Sequence, residues 1–344
     1  MEPITHFLTG ACIGRAGLNR KTALATLTTT LAAEAPDVDV LGDLRGPVFG
    51  FAHHRGFTHS FLGLVFTSAL VVGFVYVIWR WRGGKVKDPE VPPRWALLFL
   101  FAYLAGLSHI LLDFTNNYGV RPFWPFSEKW YSWDIVFIVD PIILLLLLGG
   151  LVLPAFFAFI DRELGVRSPG PRGRAGATLA LMGLVALWGV RDYYHRRAVN
   201  ALEARSYQDV LPQRVSAFPL WWNPLNWVGV VETRNFYATM LVDSLSSEVD
   251  PDGSMEIYYK PEETPVTLAA KQSALGRVYL DWAQYPITET ETLPTGGYLV
   301  RFRDMRFQYP GRRSVLSAAV ELDRNLKVTA ERFGVRGNQQ GSRE

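Results

Sequence analysis

Long apolar runs separated by short polar joints fill the first half of the chain, and short alternating runs replace them in the second half. Four segments, 61–79, 95–112, 135–160 and 175–190, are almost free of charge. Each approaches the ~17–25 residues that an α-helix needs to cross the hydrocarbon core. The fourth, at roughly 16 residues and rich in Gly and Ala, is the shortest. Ahead of them, 4–18 and 22–34 are weakly apolar, helix-compatible pieces joined by Asn19-Arg20-Lys21. A helical hairpin that dips into the membrane and returns is the simplest arrangement, with two short tilted spans as the alternative. Pro36 limits the second piece, because the residue before a proline disfavours the α conformation.

From about Trp221 the segments 228–242, 255–260, 297–309, 314–322 and 326–333 are β-rich and are separated by turn residues such as Asp250-Pro251-Asp252-Gly253 and Asp323-Arg324-Asn325. The apolar face of 298–309 shifts parity between Phe302 and Met305, which predicts a bulge near Arg303-Asp304. The expected architecture is an α-helical membrane domain, with four long spans and an N-terminal helical hairpin, followed by a small, mainly antiparallel β domain. The expected boundaries are 1–195 for the membrane domain, 196–220 for a linker, 221–336 for the β domain and 337–344 for a disordered tail.

The 344 residues are 49% hydrophobic with a net charge of +3. That charge comes from arginines near span ends, so no nucleic-acid partner is expected. A single cysteine, Cys12, excludes an internal disulfide and reads as a small apolar residue in a packed segment. Glu2 stands where a secretory leader carries basic residues, and no removable signal peptide is expected. Three basic clusters fall on one side of an up-down arrangement: Arg15, Arg20 and Lys21; Arg80, Arg82, Lys85, Lys87 and Arg94; Arg162, Arg167, Arg172 and Arg174. The positive-inside rule assigns that side to the cytoplasm. The protein is therefore expected in the inner membrane with its C-terminal domain outside the cytoplasm. Arg191, Arg196 and Arg197, on the other side, conflict with this orientation.

That opposite side collects His6, Asp37, Asp39, His54, His59, His109, Asp113, Asp134 and Asp140. Ionisable groups at membrane-span ends are costly to place and usually functional, and His with Asp is ligand chemistry for zinc and similar divalent ions. His109 and Asp113, spaced i, i+4, share a helix face. Asp37 and Asp39 would point the same way in extended chain, as one ligand and one supporting carboxylate. The expected ligands are His6, Asp37, His54, His59, His109 and Asp113, around one or two divalent ions, zinc first. Thr58 or Ser60 caps the first span or supports a ligand. Arg55 holds a ligand carboxylate or meets a substrate phosphate. Asp140 supports the centre or, with Pro141 behind it, caps the third span. His53 and His195 are left outside the site.

Thr5-His6, Pro36-Asp37-Val38-Asp39, His54-Arg55-Gly56-Phe57-Thr58-His59-Ser60, Ser108-His109-Ile110-Leu111-Leu112-Asp113 and Trp133-Asp134 with Asp140-Pro141 resemble the YdjM-like family of inner-membrane, metal-dependent hydrolases. The resemblance covers roughly residues 1–195 and implies a membrane hydrolase without naming a substrate. The metal-ligand order is more distantly similar to zinc-dependent phospholipase C and related nucleases. That similarity implies ligand roles for His6, Asp37 or Asp39, His59, His109 and Asp113, with Asp113 able to bridge two ions. The further His, His and Glu of those enzymes have no counterpart here. The expected function is hydrolysis of a lipid or lipid-linked phosphoester by metal-activated water, with Asp39 or Asp134 as general base. Membrane lipids are then the expected partners. The rival is a non-enzymatic membrane scaffold with a structural metal site and a partner-binding β domain.

Overall fold

The computed structural model describes residues 1–86, 90–164, 173–221, 223–309 and 316–334. They fall into two compact units, Met1–Val40 with Arg55–Asp192, and Leu41–His54 with Tyr193 onward.

The first unit opens with the predicted hairpin. Helix α1 (Pro3–Arg15) starts on a proline, with Glu2 accepting the Thr5 amide. Helix α2 (Ala25–Glu34) packs directly against it. Glycines make the approach close: a Cβ at Gly10 would stand 2.5 Å from the Thr29 carbonyl oxygen, and one at Gly14 would stand 2.5 Å from Thr26 Cα. Small residues four apart let helix backbones touch where hydrophobic burial gives little drive, as within lipid. A 3₁₀ run, Ala35–Arg45, follows α2, and α3 (Pro47–His53) belongs to the second unit.

Among the described residues, four helices are long and apolar enough to cross a membrane: α4 (Phe61–Trp81), α5 (Trp95–Thr115), α6 (Pro141–Glu163) and α7 (Gly173–Glu203). The Ser60 hydroxyl caps α4 by accepting the Gly63 amide at 2.9 Å. Helix α6 starts later than the apolar run predicts. Residues 135–140 are not helical, and the Ile135 and Val136 amides donate instead to the Thr115 carbonyl at the end of α5. The Gly and Ala content that weakened the fourth span serves packing. At Gly150 a Cβ would meet Ala180 Cβ at 2.5 Å, and at Gly176 it would meet the Gly150 carbonyl at 2.5 Å. Cys12 is fully buried in the apolar core of this unit.

In the second unit, β1 (Arg214–Pro219), β2 (Asn226–Glu232), β3 (Phe236–Asp243), β4 (Glu248–Val249) and β5 (Glu256–Tyr259) form one sheet. Helices α8 (Pro265–Gln272) and α9 (Ala274–Trp282) precede a second sheet of β6 (Pro286–Thr292), β7 (Tyr298–Asp304), β8 (Ser317–Leu322) and β9 (Val328–Phe333). Every ladder is antiparallel. The run 228–242 is a hairpin, because the Thr233 hydroxyl accepts the Phe236 amide and turns the chain. The parity shift in 298–309 is not a bulge. The Asp304 carboxylate accepts the Arg306 amide and starts a 3₁₀ turn, Met305–Phe307, that ends β7.

Two boundaries differ from expectation. The segment 196–220 holds the last turns of α7 and the whole of β1 rather than a linker. Residues 41–54 join the second unit because Phe51 stacks on Phe333 at 4.1 Å and meets Trp282 edge-on at 5.5 Å. The tail expected at 337–344 lies outside the described residues.

Candidate metal centre

Four elements of the first unit converge on one point. Helix α1 brings His6, the 3₁₀ run after α2 brings Asp37, the turn Phe57–His59 brings His59, and the last two turns of α5 bring His109 and Asp113. One ligand atom each from Asp37, His59, His109 and Asp113 lies within 4.8 Å of the others. The Nε2 atoms of His59 and His109 are 3.0 Å apart. Asp37 Oδ1 is 3.4 Å from the first and 3.5 Å from the second. Asp113 Oδ2 is 3.3 Å and 3.4 Å from the same two atoms. A tetrahedral zinc with bonds of 2.0–2.1 Å spaces its ligand atoms about 3.3 Å apart. The donor set therefore fits a small divalent cation.

The outer atoms of the imidazoles are held so that Nε2 faces this point. His109 Nδ1 donates to the Ala33 carbonyl at 2.7 Å. His59 Nδ1 lies 3.2 Å from Asp39 Oδ2 and 3.1 Å from the Thr58 hydroxyl. Carboxylate or carbonyl bonds to the far nitrogen fix tautomer and ring orientation in metal-bound histidines. Asp37 and Asp39 thus grip opposite sides of one imidazole instead of pointing the same way. The reason is local: a 3₁₀ run has three residues per turn, so side chains two apart diverge. Burial disfavours a charged His59, but Asp113, Asp37 and Asp39 outweigh it and push its pKa up to about 10. A bound cation would take the place of that proton. Asp37 is held below the usual carboxylate range against its burial by His109 and His59.

His6 is fully buried, stacks on His109 at a ring separation of 3.7 Å, and places Nε2 3.5 Å from Asp113 Oδ1. Neither of its ring nitrogens has a hydrogen-bond partner. Burial, with His109 and the Met1 amino group nearby, drives its pKa down to about 3 and keeps it a neutral imidazole with one donor N–H and one free ring-nitrogen lone pair. Arg55, in a left-handed backbone conformation (φ 52°), anchors the other side of Asp113. Its Nη2 lies 2.8 Å from Asp113 Oδ1, and Nη1 donates to the Gly119 carbonyl at 2.9 Å and Asn116 Oδ1 at 3.3 Å. The Met1 amino group also contacts Asp113 Oδ1.

The remaining expected residues sit elsewhere. His54 ends α3 in the second unit and is not in the converging set. Asp140 caps α6, accepting the Ile142 and Ile143 amides at 2.9 and 3.2 Å, and pairs with Arg191 at 2.6 Å. Asp134 has a left-handed backbone (φ 59°). The Trp133 and Ile135 amides on either side of it donate to Phe114 and Thr115.

Two residues at the centre escaped the sequence. Asn116, three positions after Asp113, accepts from Arg55 and from the Tyr118 amide, with its own amide nitrogen 3.4 Å from Asp113 Oδ1. An Asn one helical turn after a ligand was the available signal. Glu34 ends α2 with a buried, unpartnered Oε1. Burial, with Asp37 adding to it, pushes its pKa up to about 7.

A family model described as YdjM inner membrane protein matches residues 1–197, more than half of the chain and all of the metal centre. A second, described as YfhP C-terminal alpha/beta plait domain, matches residues 265–341. A Bacillus subtilis (strain 168) protein described as uncharacterized protein YfhP is 23% identical over 347 residues, covering 97% of this chain and 95% of that relative. No solved structure matches.

Proposed function

The chain belongs to the YdjM inner membrane protein family, and from that premise we propose that it is a membrane-bound hydrolase using one or two zinc ions. The observation that carries this reading is His6. A closed structural zinc site needs four protein donors, and Asp37, His59, His109 and Asp113 already supply four. His6 adds a fifth, with both nitrogens unsatisfied, at the second oxygen of Asp113. A surplus donor beside a carboxylate that can bridge suits a centre built for chemistry. The Asp37 side chain is 25% exposed, so water reaches the cluster from its side.

A bound divalent ion supplies a water nucleophile near neutral pH and polarises the bond being cut. The chain's own groups do the rest. Asp39 orients His59, and Arg55 fixes Asp113. Of the two carboxylates expected as general base, Asp39 is the one at the cluster, and it takes that role. The substrate class is a lipid or lipid-linked phosphoester, which can approach sideways from the bilayer.

Metal analysis of purified protein, then a phosphoester and lipid hydrolysis screen with and without chelator, tests the reading. Asp39→Asn should retain metal and lose ~10²–10⁴-fold in turnover, the usual contribution of a general base. If metal-loaded wild type cleaves nothing and chelation only lowers the melting temperature, the centre is structural. That second reading has an observation of its own. The second unit contains a cleft of about 770 Å³ lined by β5, α8 and β6 residues such as Tyr258, Thr264 and Thr288. Among the described residues, strands β5 and β6 each pair on one side only, an arrangement open to an added peptide strand.

We also place the metal centre and the C-terminal domain outside the cytoplasm, on the strength of the basic loops. Of the conflicting arginines, Arg191 pairs with Asp140 and Arg197 donates to the Leu245 carbonyl and Ser247. A C-terminal reporter active only outside the cytoplasm should give signal. Activity from a cytoplasm-only reporter reverses the orientation.

A further inference from the structure

The apolar surface of α4 does not end where the helix begins. Its first turns expose Phe61, Leu62, Val65 and Phe66, a face that acyl chains must cover in a spanning helix. Before the helix, Phe57 is exposed too, and its ring lies 5.7 Å from Phe66. A loop from a distant part of the chain widens the patch. The Phe61 amide donates to the Pro122 carbonyl at 2.9 Å, which fixes residues 122–126 against the start of α4. There Phe123 meets Phe61 at 5.4 Å and Trp124 meets Phe57 at 5.5 Å. Phe123 is 47% exposed and Phe126 is 86% exposed.

We propose that the 122–126 loop, together with Phe57, is inserted in the lipid interface, so that the bilayer reaches past the start of α4 to the metal-centre end of the first unit. A contiguous exposed aromatic patch marks a contact surface, and this one is continuous with a face that lipid already covers. Charge agrees with that placement. The one charged residue of 121–126, Arg121, is buried and stacks over Trp130 at 4.5 Å. Aromatic rings are favoured at the depth where headgroups give way to acyl chains. The stretch of chain that carries the loop also carries Gly119, whose carbonyl receives Arg55, the guanidinium that fixes Asp113. Lipid contact and metal-ligand support therefore lie on one short piece of chain. The proposal is independent of hydrolysis and holds equally for a structural ion.

The test uses Phe126→Cys. Cys12 is the one native cysteine and is fully buried, so an environment-sensitive fluorophore attaches at position 126, with wild type as the unlabelled control. The labelled protein is reconstituted in phosphatidylethanolamine–phosphatidylglycerol vesicles. Side chains at this boundary sit about 5–10 Å into the interface. The expected result is blue-shifted emission that shallow spin-labelled lipid quenches strongly and aqueous iodide barely touches. Quenching by iodide and not by lipid would put the loop in water and overturn the proposal. Protection from both would show that protein covers the patch, which overturns it as well. Phe123→Cys, read the same way, serves if the first variant does not retain wild-type metal content.

Discussion

Asp113→Ala should strip the metal from purified protein and destabilise what remains. The carboxylate is fully buried and faces both sides of the centre. Oδ2 faces His59 and His109, while Oδ1 faces His6 and Arg55. Truncation removes a ligand that no neighbour can replace and leaves the Arg55 guanidinium buried without its partner. Breaking a buried ion pair from one side costs about 3–5 kcal/mol. Metal per polypeptide, measured by mass spectrometry, should fall to background, and the melting temperature in detergent should drop steeply. His53→Ala and His195→Ala provide the comparison: both histidines belong to the second unit, outside the converging set, and should leave metal content at the wild-type level. An Asp113→Ala protein that still holds a full equivalent of zinc would refute the assignment.

Asp140→Ala should cost comparable stability while leaving the metal in place. Asp140 and Arg191 are both buried and joined at 2.6 Å, and the same carboxylate caps α6. Losing a cap costs about 0.5–2 kcal/mol, and stranding the arginine within a spanning helix adds about 3–5 kcal/mol. The double variant Asp140→Asn with Arg191→Met should recover most of the loss, because the amide keeps the cap and no buried charge is left alone. Thermal unfolding of the variants in detergent, with metal content of the folded fraction, checks both points. Loss of metal in the folded Asp140→Ala protein would mean that the carboxylate supports the centre after all.

The spans, and the convergence of Asp37, His59, His109 and Asp113, were legible in the sequence for one reason: apolar runs and His/Asp spacing restrict residue type severely. Uncharged runs gave α4 to α7, and the HxxxD pair of His109 and Asp113 appears in the structure on one helix face at the end of α5. What the sequence concealed depended on conformation or on distant partners. The opposed roles of Asp37 and Asp39 follow from a 3₁₀ run that no residue between Ala35 and Arg45 announces. Residues 41–54 join the second unit with Phe51 among their contacts, and its partners lie more than 200 positions away. Helices α8 and α9 are eight and nine residues long, too short for a periodic signal among β-rich neighbours, and their caps at Thr264 and Ser273 were the readable trace. Boundaries at 135 and 196 were misplaced because an apolar run says where lipid or core begins, whereas Pro141 and backbone pairing say where a helix does.

The converging ligands also set an order of events during synthesis. Asp37 and His59 leave the ribosome well before His109 and Asp113, and the first two cannot enclose an ion by themselves. An ion held by this cluster would therefore have to wait until α5 has entered the bilayer and met the α1–α2 hairpin. A nascent chain halted before His109 would carry the hairpin and α4 but no completed cluster, so insertion of the second span is the step that first assembles all four donors.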